Sequence, residues 1–326
     1  MARKYRLASV ALFIFIVLVG VPWAIEATGR WDFYFTLTTV ALLSIAASGV
    51  WLTFYIGRIN IGQGAYSLMG GYVMAILVVK YGVSFWLALP LAGLLTAGAS
   101  ILIGFPILRL RGVYFAMITL TLTEVAKLTA LALSITNGAS GITNIPLPGG
   151  ISIFGLTLIP DFSSLESVKP AFYYLTVILM IICFAGMYRL VNSRLGQLCR
   201  SLQQNEELAL SIGVNLANLR VLAYAISSFL GGIGGAIFVT IAQSVYPSSF
   251  GVQDSINFML YTFLGGLSYV FGPMLGTLVL WFGWDLLFLA GNLQLLVYSG
   301  ILITLMVVLP NGLLSIRLPK RRRIQK

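Results

Sequence analysis

The sequence predicts an all-α, polytopic integral membrane protein with about ten transmembrane helices in one domain, and three observations lead there. Of its 326 residues, 59% are hydrophobic and only 9% are Asp, Glu, Lys or Arg, where a soluble domain carries about 25% charged residues. Apolar runs recur along the whole chain, close to the ~20 residues needed to cross a hydrocarbon core about 30 Å thick. The basic residues gather at alternate ends of those runs. No polar segment is long enough to fold separately, so residues 1–326 read as a single membrane domain.

In chain order the expected spans lie near 8–25, 33–55, 61–79, 83–104, 112–135, 171–190, 219–241, 256–271, 273–290 and 294–310. The first follows Arg3, Lys4 and Arg6, as a secretory leader would. Its apolar run to Ile25 is long and no small-x-small triplet follows directly, so it reads as a retained span. With the N-terminus inside, ten spans leave the C-terminus inside too. Arg3, Lys4, Arg6, Arg58, Arg109, Arg111, Arg189, Arg194, Arg200, Arg220, Arg317, Lys320, Arg321, Arg322, Arg323 and Lys326 are then cytoplasmic. Arg30, Lys80 and Lys169 fall outside and Lys127 within a span, a split that fixes the orientation by the positive-inside rule. The acids Glu26, Asp32, Asp161, Glu166 and Asp254 lie outside.

This arrangement also accounts for the net charge of +11. The cations flank apolar spans on one side, where an anionic leaflet attracts them, so the expected partner is membrane lipid and not nucleic acid. The tail 316–326 is basic and reads as a membrane anchor. Histidine is absent and there are two cysteines, Cys183 and Cys199. Without the usual general base and metal ligand, no catalytic residue, metal site or enzyme activity is expected.

Two loops are long. The outer one, 136–170, holds Asn137-Gly138-Ala139-Ser140-Gly141 and Pro146-Leu147-Pro148-Gly149-Gly150, then the alternating Ile151-Ser152-Ile153-Phe154. Gly, Pro and Asn break helices, so this is a turn-rich lid with room for a small hairpin. It serves as the place where an external protein docks or where substrate enters, or else as a plain connector. The inner loop, 192–220, predicts two short surface helices. Ser193 caps one that buries Leu195, Leu198 and Leu202; Asn205 caps the other, with Glu206 and Glu207 in its first turn, where the helix dipole favours acids. Gly213 suits the left-handed residue that closes it, and Asn215 starts the next span. Arg194, Arg200 and the glutamates are displayed to water. The mixed polar face, with Gln203 and Gln204, suits a protein partner better than a bilayer.

Arg194-Leu195-Gly196-Gln197-Leu198-Cys199-Arg200, followed by Asn205-Glu206-x-x-Ala209-x-x-x-Gly213-Val214-Asn215, resembles the coupling segment of ABC-importer permeases. More particularly the chain is similar to the branched-chain amino acid permease family, LivM-type. The other pieces fall in that family's order: Gly57-Arg58-Ile59-Asn60-Ile61-Gly62-Gln63-Gly64-Ala65-Tyr66, Leu108-Arg109-Leu110-Arg111-Gly112-Val113-Tyr114-Phe115-Ala116, Leu264-Gly265-Gly266-Leu267 with Gly272-Pro273-x-x-Gly276, and Leu309-Pro310-Asn311-Gly312-Leu313. The likeness runs from about Asp32 to Leu318. The chain departs from the pattern at Leu208, where a first alanine is usual, at Gln204, where an arginine is, and at Gln63, often histidine or another polar residue.

The resemblance implies a permease subunit of an importer in a bacterial inner membrane. A periplasmic or extracellular binding protein would deliver branched-chain or related hydrophobic amino acids, and the chain would pair with a second, related permease subunit. Two ABC ATPase subunits would hold the ATP and Mg; this chain has no G-x-x-x-x-G-K-[ST] loop to cradle phosphates. Arg194, Arg200, Asn205, Glu206, Glu207, Ala209 and Gly213 would then meet the ATPase, with Glu206 the main charged contact. Urea, short amides or other small organic solutes travel on the same scaffold. An ion-coupled secondary transporter using Glu124, Lys127 or Asp285 is the rival of a different class.

For the solute path, helices broken at matching places in two half-repeats mark midplane sites. The Gly-rich stretches 57–71 and 264–276 are two such places and suggest an inverted internal repeat. Asn60, Gln63 and Ser67 would then face the path, joined by Thr119, Thr123 and Glu124 from the fifth span. Glu124 and Lys127 are three apart and either neutralise one another or serve the solute. The small-residue spacings Ser227, Gly231, Gly235 and Gly272, Gly276 mark close helix packing.

Overall fold

The computed structural model describes residues 16–153, 156–165, 167–206, 210, 215–287, 293–309 and 312–315. A π-turn, Ile16–Gly20, leads into α1, Val21–Thr28; α2 is Asp32–Tyr55, α3 Gln63–Ala75, α4 Phe85–Ile107 and α5 Gly112–Ala132. After the outer loop come α6, Val168–Val191, α7, Arg194–Gln204, and α8, Leu216–Ala242. The chain then forms α9, Val252–Gly265, α10, Gly272–Leu286, and α11, Gln294–Val308. Most of the first expected span lies outside the described residues.

By length and composition, five helices can cross a membrane: α2, α4, α5, α6 and α8. The helices at four other expected spans are shorter, with α3 at 13 residues, α9 at 14, and α10 and α11 at 15 each. A further π-turn, Ile76–Lys80, extends α3 outward. Expected spans 256–271 and 273–290 also differ in position: α9 starts at Val252 and stops at Gly265. Gly266 ends it with φ 115°, a value that favours glycine. A Cβ on Gly265 would strike the Gly272 backbone, so this pair lets α9 and α10 fold back on one another.

α8 is the hub, packed against α2, α3 and α4, while α2 also meets α6, α9 and α10. A helix apolar on all sides belongs in an interior, and α2 is buried almost continuously from Thr38 to Phe54. Its hydroxyls avoid an unpaired burial by bonding back along the helix: Thr38 to Tyr34 O at 2.6 Å, Ser44 to Val40 O at 2.6 Å and Thr53 to Val50 O at 2.7 Å. α8 approaches α3 through glycine. The Gly70 and Gly232 backbones meet there, and Gly235 faces the Ser67 carbonyl.

The outer loop is stitched to the end of α8. Strand β1, Ile142–Thr143, pairs antiparallel with β4, Ser244–Val245, and Ile145 N–H donates to Gln243 O at 3.1 Å. Between them β2, Ile151–Ile153, and β3, Leu156–Ile159, make a hairpin in register Ile153 with Leu156. Lys80 Nζ donates to Ile135 O at 2.6 Å and Trp86 Nε1 to Gly149 O at 2.9 Å, holding the loop over α3 and α4.

Candidate functional site

Two polar features stand out from the apolar body. The first is at the end assigned to the cytoplasm. Ser193 caps α7, its Oγ accepting the Gly196 N–H at 3.4 Å, but the buried face of α7 is Gly196, Cys199 and Leu202, and Leu195 is 45% exposed. This differs from the expected Leu195–Leu198–Leu202 stripe. Gly196 has no Cβ to strike the Val191 and Leu190 carbonyls, so α7 lies flat there and rolls Leu195 outward. Arg194 and Arg200 are exposed. Burial pushes the Cys199 thiol up to about 11, which keeps it a neutral packing group near pH 7. Glu207, Ala209 and Gly213 lie outside the described residues. Asn215 caps α8, its Oδ1 accepting the Asn218 N–H at 3.2 Å.

Next to α7, Glu206 sits among three arginines drawn from three elements. Arg58, in the stretch between α2 and α3, approaches its Oε1 at 3.2 Å; Arg111, before α5, lies 2.8 Å from Oε2; Arg220, in the first turn of α8, also pairs with Oε1. The Arg58 side chain is 4% exposed, that of Arg220 11% and that of Glu206 22%. Burial first, then the Arg220 and Arg111 guanidiniums, holds Arg58 below the usual arginine range against the pull of Glu206. Expected to be free for a partner, Glu206 is instead held within its own chain. Gln203 Nε2 adds a bond to Phe54 O at 3.3 Å, so α7 also grips the end of α2.

The second feature is the start of α3. After Gly57, with φ 76°, the chain runs back without helix to Gly62 and coils only from Gln63. Gln63 Nε2 donates to Ala46 O and Ser227 O, both at 3.0 Å, while its Oε1 accepts from Asn60 Nδ2 and Ser227 Oγ at 3.3 Å. Ala46 and Ser227 are near the middles of α2 and α8, so α3 begins deep in the bundle. Thr119 Oγ1 accepts the Ile61 N–H at 3.1 Å. Across from it, α9 also begins deep: Gly64 N–H donates to Ser255 Oγ at 2.9 Å, and Ser255 Oγ meets Thr123 Oγ1 at 3.0 Å. Thus α3 and α9 start side by side. Gly251 and Ser255 at the start of α9 lie against Gly64, while 264–276 forms the α9–α10 turn.

Asn60 and Gln63, expected to face a solute path, are turned into the packed interior of this chain. Both are fully buried, as are Ser67, Thr119 and Thr123. Gln63 has used both donors and both acceptor sites, the whole capacity of its amide, so it staples α2, α3 and α8. Gln63→Leu removes four hydrogen bonds and leaves buried partners unpaired, at about 1–3 kcal/mol each for those without another bond. A clear drop in the melting temperature of the purified protein is expected, larger than for Ser67→Ala. Ser67 Oγ is itself without a hydrogen-bond partner.

Ser227 and Gly231 lie against Gln63, Gly235 against Ser67, and Gly272 and Gly276 against the backbone of α9, all inside one chain. Glu124 and Lys127 pair at 2.9 Å with side chains 44% and 35% exposed. Sequence reasoning missed the arginine cage, having read Arg58, Arg111 and Arg220 as orientation signals alone. One signal was present: Glu206 and Glu207 are the sole acids on the basic side of the predicted topology.

Five helices long and apolar enough to cross a membrane, with shorter helices starting deep among them, give the chain the build of a multi-pass membrane protein. The chain belongs to the family described as "Branched-chain amino acid transport system / permease component", whose profile matches residues 32–310. It is 31% identical over 280 residues to the high-affinity branched-chain amino acid transport system permease protein LivM of Salmonella typhimurium, covering 81% of this chain and 65% of that protein. The LivM protein of Escherichia coli is 30% identical over the same shares. The match therefore spans just under two thirds of the length of these relatives. The permease protein BraD of Pseudomonas aeruginosa is 26% identical over 85% of this chain and 92% of its own length. No solved structure matches the chain.

Proposed function

We propose that the chain is the membrane-spanning subunit of an ABC importer in a bacterial cytoplasmic membrane, translocating branched-chain or related hydrophobic amino acids handed over by an external binding protein. A second, related permease subunit completes the pathway, and two ATPase subunits supply the energy. The observation that carries this reading is the Glu206 cage. A partner pressing on the 193–213 segment moves Glu206, and through Arg58, Arg111 and Arg220 it moves the stretch before α3, the residue that opens α5 and the start of α8. Family membership supports the same reading.

The test is uptake of radiolabelled L-leucine into proteoliposomes. Uptake is expected only when this chain is reconstituted with its partner permease, ATPases, binding protein and ATP. Uptake by the purified chain alone under a proton or sodium gradient would reject the reading.

A further inference from the structure

Glu124 and Lys127 are a charged pair inside a membrane-length helix that neither the cage nor the Gln63 staple employs. They stand in the outer half of α5, a 21-residue apolar helix, and both side chains are partly exposed. Ionised groups at membrane depth are costly and face protein or water-filled space instead of lipid. Their mutual bond reduces that cost without hiding either charge. Thr123, the residue before Glu124, is bound to Ser255 in the first turn of α9, which brings this level of α5 against the start of α9. Gln253, exposed, and Asn257, half-buried, are joined at 3.4 Å in the first turns of α9, and Thr121 carries an exposed hydroxyl three residues before Glu124.

Resting on the permease reading above, we propose that Glu124 and Lys127 form a binding site for the head group of a zwitterionic α-amino acid. The solute brings an ammonium and a carboxylate on one carbon, the inverse of the pair in α5. The Glu124 carboxylate takes the ammonium and Lys127 Nζ takes the carboxylate. The bond between the two side chains opens as the solute enters and closes again as it leaves, so no bare charge is left in the membrane between cycles. Apolar side chains of the solute need no matching polar group here, which suits an amino acid with a hydrocarbon side chain.

The experiment uses the complete reconstituted complex and labelled L-leucine. Glu124→Gln and Lys127→Met are each expected to lower uptake at least tenfold while the assembled complex is recovered in normal amount. The exchange Glu124→Lys with Lys127→Glu keeps an ion pair at the same spacing but reverses its polarity, and uptake is expected to remain at least tenfold down. A purely structural pair would be rescued by the exchange, so recovery to within twofold of the parent overturns the proposal. Single variants that transport within twofold overturn it as well, and so do variants that fail to assemble. If the parent complex itself moves no amino acid, the permease reading fails and not this assignment alone.

Discussion

Glu206→Gln is expected to cut ATP-driven leucine uptake at least tenfold and to lower the thermal stability of the protein. The glutamine removes the one negative charge that, among the described residues, contacts three guanidiniums, two of which are almost fully buried. Removing one partner of a buried pair costs about 3–5 kcal/mol, because the remaining charge is left desolvated. The 22% exposure of Glu206 admits some water and moves the expectation to the lower end. Arg111→Met is the contrasting substitution. Its side chain is 71% exposed, and exposed pairs contribute about 0–1 kcal/mol, so stability should change little. Uptake and melting temperature measured on both variants check the difference. Equal effects would mean that the cage does not act as a buried unit.

Gly235→Leu is expected to prevent recovery of folded protein. Any Cβ at this position would overlap the Ser67 carbonyl, and α3 cannot withdraw because Gln63 fixes its start to α2 and α8. Overpacking a close contact costs typically 1–3 kcal/mol where side chains can yield, and here the obstacle is backbone. Gly186→Ala in α6 has nothing within 4 Å of the new Cβ. It should be neutral or stabilise by up to about 1 kcal/mol through helix propensity. Size-exclusion recovery of the two variants in detergent separates them.

Much of this arrangement is legible in the residues. α2 and α8 are bounded by charges and caps that need no tertiary information: Asp32 and Arg58 bracket one, and Asn215 opens the other. Ser193 likewise announces α7. The break before α3 is visible in Gly57, Gly62 and Gly64. The misreadings share one cause, contacts between distant parts of the chain. Gln63 stands out in the sequence as a polar residue, but its partners Ala46 and Ser227 come from two other helices. Arg58 lies 148 residues from Glu206, and nothing local to either announces the pairing. The start of α9 at Val252 is obscured by Pro247-Ser248-Ser249, which reads as an outer loop, although the chain descends there to meet Gly64. On α7, the rotation that buries Cys199 and exposes Leu195 depends on the fit of Gly196 to the end of α6.

In the proposed importer a small polar element outside the membrane carries the driving force into the bundle. Replacing Arg194–Gln204 by a Gly/Ser run of equal length, within the full complex, tests it most directly. The chain is expected still to insert, the ATPase subunits no longer to co-purify, and leucine uptake to fall to background. Continued ATP-driven uptake with the ATPase subunits still bound would contradict it.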